Sequence, residues 1–306
     1  MAPAVPKGWT ALLLGAWAAM ATWSPLAPAG EADDEAPIQI GAVRIGWTAW
    51  SSAEAVLNIA RKVLEDRMGY EVEPVMTNIG VQYQGLSRGN IDAMLMAWLP
   101  TTHKPYWDKF ATEVVNLGPV YLGARLGWAV PAYVPESELG SVEDLKRIEV
   151  RERLHRQIQG IDPGSGLMQV SEKALEAYGL EDYHLISASG AGMTAALERA
   201  ARREQWIVVT AWSPHWMFAR WDLRYLKDPQ GVLGGKERVH VLVRRDFYQD
   251  YPDEVTGFLA RLYLPLADLE AVMLEATETS YEQAAAEYVE AHPRRVHYWV
   301  TGEIKE

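Results

Sequence analysis

Between residues 40 and 245, short apolar runs alternate with stretches whose apolar positions recur every three to four residues. Near-continuously apolar strands separated by amphipathic helices are the pattern of an α/β protein with parallel sheets. "VRIGW" (43–47) predicts a first strand. Val56, Ile59, Val63, Leu64 and Met68 then repeat at helical spacing, which predicts a helix over 52–68. Ser51 with Glu54 offers that helix a capping box, and Gly69 a stop. "VEPVM" reads as a second strand, "GVQYQGLSRG" as a short helix and "IDAMLMAW" as a third strand. The order then returns: "IQGI" (158–161) as a strand, 167–178 as a helix, "YHLISAS" as a strand, "GMTAALERAA" as a helix and "IVVTAW" as a strand.

The register supports a duplication. Gly46 and Ala97 stand 51 residues apart, as do Gly160 and Ala211, and each Ala opens an Ala-Trp-x-Pro motif. In both copies a second Trp follows nine residues after the first, Trp107 after Trp98 and Trp221 after Trp212. Between the copies, residues 131–147 predict a hinge and a capped helix start. Beyond about 245 the chain turns helical over 253–262, 266–276 and 281–291, and "AHPRR" is expected to end the last helix. A length of 306 residues favours two lobes over one core. If the C-terminal helices pack back on the first copy, residues 38–134 plus 245–300 form lobe 1 and residues 135–244 form lobe 2.

The N-terminus changes the picture of where the chain works. Lys7, an apolar stretch over 9–23 and then "SPLAPAG" read as an export signal cleaved after Ala29. Fifteen residues fall short of the ~20 that a membrane span needs. Removing 1–29 takes away one positive charge, Lys7, from a chain of net charge −12. That acidity argues against a nucleic-acid partner. There are no Cys residues, hence no disulfides, no thiolate metal site and no lipid-modified N-terminal Cys. An untethered periplasmic protein is the expectation, with a monomer as the default.

Ligands of open α/β sheets bind beyond the carboxyl ends of the strands. Three Trp residues fall there: Trp50 past the first strand, Trp98 ending the third, and Trp212 ending "IVVTAW". His103 follows Trp98 by five residues, and the turn "GIDPGSG" (160–166) precedes a helix with backbone N–H groups suited to an anion. One Trp at a strand end is ordinary packing. Three at equivalent ends, two of them inside a repeated motif, point to a cage. Indole faces attract a cation that has no hydrogen to donate, such as a quaternary ammonium, at ~0.5–2 kcal/mol per contact. Hydrogen bonds to a carboxylate add ~1.5–3 kcal/mol each. A small zwitterion carrying both groups then binds with a micromolar-range constant, about −8 kcal/mol after the cost of association. His215, Trp216, Trp107 and Trp221 read as structural, and Trp47, Trp128 and Trp206 as core.

"GWTAWSSAEAV", "GNIDAMLMAWLPTTHKPY", "GIDPGSGLM", "LISASGAGMTAAL" and "IVVTAWSPHWMFARWDLRYLKDP" together resemble the glycine betaine-binding proteins of ABC importers, the OpuAC/ProX type, over residues 40 to 290. The resemblance implies a two-lobed periplasmic-binding-protein fold of type II with ligand in the interlobe cleft. It implies an aromatic box of Trp50, Trp98 and Trp212 for the trimethylammonium. It assigns the carboxylate to the backbone amides of Gly160 and Ile161 and to His103. It implies delivery to a membrane permease and its ATPase, with no cofactor, no metal and no catalysis. Ser51 departs from similar proteins, where an acidic residue often follows the Trp. Other onium ligands (proline betaine, carnitine, choline, a sulfonium osmolyte) fit the same cage. An enzyme or a sensory module using this cleft is the alternative from another class. The chain has no His-Glu-x-x-His, Gly-x-Ser-x-Gly or Cys nucleophile.

Overall fold

The computed structural model describes residues 41–304, and the expected export signal lies outside them. Nine strands form one sheet among the described residues: β1 (Val43–Trp47), β2 (Val72–Met76), β3 (Ala93–Leu99), β4 (Val114–Pro131), β5 (Gln157–Gln159), β6 (His184–Ile186), β7 (Val209–Ser213), β8 (Leu223–Tyr225) and β9 (Lys236–Arg244). The order is β2-β1-β3-β9-β4-β7-β5-β6, with β8 beside the end of β4. Strand β1 runs parallel to β2 and β3, and β5 runs parallel to β6 and β7. These are the two repeated units that the sequence predicts.

Helices α1 (Ser51–Met68) and α2 (Ile79–Arg88) connect the first unit, and α3 (Lys104–Phe110) follows it. A short α4 (Ile148–Arg153) leads into the second unit, which α5 (Gly166–Ala177) and α6 (Gly190–Ala201) connect. One-turn helices α7 (Met217–Arg220) and α8 (Phe247–Asp250) flank β8 and β9. The chain then runs through α9 (Asp253–Arg261), α10 (Leu266–Glu275), α11 (Tyr281–Ala291) and α12 (Pro293–Thr301). Helices α10, α11 and α12 pack on α1, so the C-terminal segment returns to the first unit.

Strands β4 and β9 join the units. The first two-thirds of β4 pair antiparallel with β9, Arg125–Ala129 pair with β7, and Ala129–Pro131 pair with β8. Its register breaks at Asn116/Gly118, Pro119/Tyr121 and Leu122/Ala124. Gly118 (φ 119°) and Gly123 (φ 80°) supply the left-handed backbone there. Each irregularity adds local bend and twist, which carries one strand from the first unit to the second. Strand β9 falls within residues 135–244, yet it is bonded to both β3 and β4 and belongs to the crossing.

Several local expectations are corrected. The box of Ser51 and Glu54 does not form: the N-cap is Trp50, which makes no side-chain cap bond, and Ser51 is already helical. Gly69 does end α1, at φ 76° with its N–H on the Leu64 carbonyl. "AHPRR" ends α11 but starts α12, because Pro293 at the first helical position has no N–H to leave unpaired. The capped start at Ser141 is real, although the helix it caps is a single 3₁₀ turn, Val142–Lys146. Trp128 is fully buried, whereas Trp47 and Trp206 are half-buried.

Candidate functional site

The parallel strands of both units direct their carboxyl ends at one cavity. Trp50, Trp98 and Trp212 line it together with Leu126 of β4 and His103 and Ile161 from the loops. The space measures about 330 Å³ out to its mouth. All three indoles are nearly closed off from solvent, at 8%, 5% and 4% exposure. No Asp, Glu, Lys or Arg is among the lining residues, so the aromatic faces are the electron-rich surfaces present there.

Local geometry explains why the indoles stand where they do. Leu99–Pro100 and Ser213–Pro214, one in each Ala-Trp-x-Pro motif, are both cis. The Trp98 backbone N–H donates to His103 Nδ1 at 3.0 Å, which leaves Nε2 to carry the imidazole proton. Burial pushes the His103 pKa down to about 3, so the ring is a neutral donor. His215 does related work in the second copy. Its Nδ1 accepts from the Met217 N–H at 3.0 Å, and its ring meets Trp212 edge-on at 4.4 Å between centroids. Burial pushes its pKa down to about 3 as well. Tyr121 packs edge-on against Trp98 at 6.4 Å.

The turn 160–166 behaves differently from its expectation in one respect. Gly160 does not line the cavity: its N–H donates to the Ile186 carbonyl at 2.8 Å, completing the pairing of β5 with β6. Ile161 does line it, and its N–H makes only a weak contact with Met168 Sδ at 3.4 Å. The residues that join it are Ser165, Gly166 and Leu167. Ser165 caps α5 by accepting from the Met168 N–H. The N–H groups of Gly166 and Leu167 have, by their position, no acceptor inside the helix. Ile161 and the helical end of the turn, and not Gly160, therefore present N–H groups that are left without a backbone acceptor.

Three further residues received no role from the sequence: Glu237 lies in no motif, while Asp162 and Tyr106 lie inside stretches that the motifs quote. Glu237 of β9 is 1% exposed and accepts from the Thr101 N–H (3.2 Å), the Thr102 N–H (3.0 Å) and the Thr102 hydroxyl (2.9 Å). It fixes the loop that carries His103. Asp162 accepts from Trp50 Nε1–H at 2.9 Å, and the Tyr106 hydroxyl donates to the Gly164 carbonyl at 2.8 Å. Both bonds cross between the units. Only the exposed spacing of the "GIDPG" turn hinted at any of them.

Two parallel units with an indole-lined cavity between their strand ends define the class, a two-lobed solute-binding fold of the periplasmic type. Within it the chain belongs to the OpuAC family, the substrate-binding domain of ABC-type glycine betaine transport systems, whose family model matches residues 41–291. The glycine betaine/carnitine transport binding protein GbuC of Listeria monocytogenes is 32% identical over 63% of this chain. The chain spans 62% of that relative's length. Lactococcal OpuAC, in a closed-liganded crystal structure with glycine betaine, is 35% identical with a TM-score of 0.79, over 85% of this chain and 100% of that one. A choline-binding protein of an ABC transporter, in complex with choline, is 25% identical with a TM-score of 0.80, over 89% and 95% of the two chains.

Proposed function

We propose that this protein captures glycine betaine and hands it to an ABC importer without altering it. One observation carries the reading: three indoles and one neutral imidazole donor converge on a single cavity that holds no competing charge. The trimethylammonium occupies the box of Trp50, Trp98 and Trp212. The carboxylate meets His103 Nε2–H and the amide groups at Ile161, Gly166 and Leu167. The N–H of Gly160, held by Ile186, takes no part.

The supporting architecture is a first lobe of residues 38–134 and 245–300, with Trp50, Trp98 and His103. The second lobe, 135–244, brings Trp212 and the turn after β5, and β4 and β9 act as the crossing. Ligand contacts drawn from both lobes stabilise the closed state through its higher affinity for that state. Export to the periplasm after removal of 1–29, a monomeric state, and docking on a permease with its ATPase complete the proposal. Among the described residues no helix is long and apolar enough to cross a membrane.

Choline is the second reading. The indole box recognises its headgroup equally, and the loss of Gly160 from the anion end shortens the list of carboxylate partners. Calorimetric titration of the protein from Gly30 onward decides between them. Glycine betaine is expected to bind in the micromolar range with choline at least tenfold weaker, the worth of one hydrogen bond to a charged group. Equal binding retains the cage and discards the carboxylate clamp. Trp98→Ala and Trp212→Ala are each expected to weaken betaine binding about tenfold or more. Unchanged affinity in either variant removes that indole from the box.

A further inference from the structure

Beside the cage lies a second, outer groove of about 650 Å³, lined by Thr48, Met76, Asn78, Asp162 and Pro163 among others. Trp50 and Ser165 border both spaces, so together they form the partition between cage and groove. The partition is made of one residue from each side of the cleft. Trp50 Nε1–H donates across the cleft to Asp162 Oδ2 at 2.9 Å.

Three features single out this bond. Trp50 is the one cage indole whose N–H is donated across the cleft, from the start of α1 to the turn after β5. An indole withdrawn from water needs a partner for that N–H, and Asp162 supplies it. Among the described residues no Lys, Arg or His pairs with the Asp162 carboxylate, so its charge is not neutralised by another side chain. A charged acceptor makes the stronger kind of hydrogen bond. Closure also demands close approach at this turn: a Cβ at Gly166 would stand 2.4 Å from Thr102 Cγ2 and 2.7 Å from the Thr102 carbonyl oxygen.

We infer that Asp162 is the positioning residue that latches the cage: by accepting from Trp50 Nε1–H it fixes the indole as the cage's outer wall and ties the two halves together, so it sets how long ligand stays rather than how fast it enters. This inference rests on betaine as the cage's ligand. Asp162 itself does not line the cage.

The test uses Asp162→Ala and Asp162→Asn. The chain contains no Cys, so Glu73→Cys and Glu181→Cys, both exposed positions, give two unique dye sites for following closure by energy transfer. Glycine betaine is the probe. In stopped flow, Asp162→Ala is expected to release betaine about tenfold faster, the lower end for a bond to a charged group, with the association rate unchanged. Asp162→Asn keeps an acceptor oxygen and is expected to return most of the way to the wild-type rate. Without ligand, the closed fraction should fall in Asp162→Ala and recover in Asp162→Asn. Release and closed fraction at wild-type values in Asp162→Ala overturn the latch. So does Asp162→Asn behaving like Asp162→Ala, because the hydrogen bond would then not be what acts. If the wild-type protein fails to close on betaine, the ligand assignment fails on its own. The latch is then decided by the ligand-free closed fractions of the two variants.

Discussion

His103 and His215 are both buried beside a cage Trp, and both use Nδ1 to accept a backbone N–H. That choice fixes which nitrogen keeps the proton. It also rules the imidazolium out of the folded site, since burial lowers both pKa values to about 3. Betaine affinity is therefore expected to stay flat between about pH 5.5 and 8, where an unperturbed histidine would change charge. Titration at both ends checks it, and a loss of affinity toward pH 8 would mean that a cationic His103 holds the carboxylate. Stability behaves otherwise. Each histidine is protonated in the unfolded chain below about 6.5 and stays neutral in the folded one. The stability they contribute is full above that value and declines as pH falls toward 3, by up to ~1.4 kcal/mol per pH unit for each group. Denaturation midpoints at pH 7 and pH 5 measure this slope, and equal midpoints would sink it.

The two repeated units keep their third strand alike and diverge at their first. Strands β3 and β7 both end in Ala-Trp-x-Pro with a cis proline. After β1, however, the chain places an indole at the N-cap of α1, while after β5 it places a glycine-rich turn at the N-cap of α5. One end of the site thereby presents an indole face and the other backbone N–H groups, as the proposed betaine reading requires. Gly166 belongs to this divergence, since a Cβ there would stand 2.4 Å from Thr102 Cγ2 on the other unit. Gly166→Ala is expected to weaken betaine binding about tenfold or more, the usual penalty for overpacking, with an unchanged Tm without ligand. Calorimetry and a thermal melt check both. A fall in Tm of the ligand-free protein would show instead that α5 is itself disrupted.

Across the whole molecule, the buried Asp92 carboxylate joins elements that are distant in sequence. It accepts from the Arg44 backbone N–H and Nε at 2.9 Å, from Arg44 Nη2 and Arg244 Nε at 2.7 Å, and from the Tyr251 hydroxyl at 2.9 Å. Burial alone would raise its pKa, but the bonds from Arg44 and Arg244 win and hold it below the ordinary value. Breaking a buried ion pair by removing one partner costs about 3–5 kcal/mol. Asp92→Asn is accordingly expected to lower Tm by roughly 6–12 °C, while betaine affinity stays unchanged because the cluster lies away from the cage. A thermal melt with and without betaine tests this, and a Tm within about 2 °C of wild type would show the cluster to be dispensable.

The sequence by itself determined the repeated unit, the strand ends and the three indoles, because each rests on local information: periodicity, β-branched and apolar runs, and an Ala-Trp-x-Pro motif that in each copy stands 51 residues after the glycine of the first strand. It also predicted the C-terminal helices, with the one miss at α12, where a Pro can start a helix as well as follow one. The tertiary structure alone decided the rest. Strands β4 and β9 take their places in the sheet by pairing with each other and with both units. Glu237 and Asp162 gained their roles from partners 136 and 112 residues away. Gly160, which looked free in the sequence, lost its N–H to a strand that only the fold sets beside it. Local propensity selects elements and side-chain types. Which donor remains unpaired, and which side chain meets it across a cleft, is settled by contacts between segments that the sequence order keeps apart.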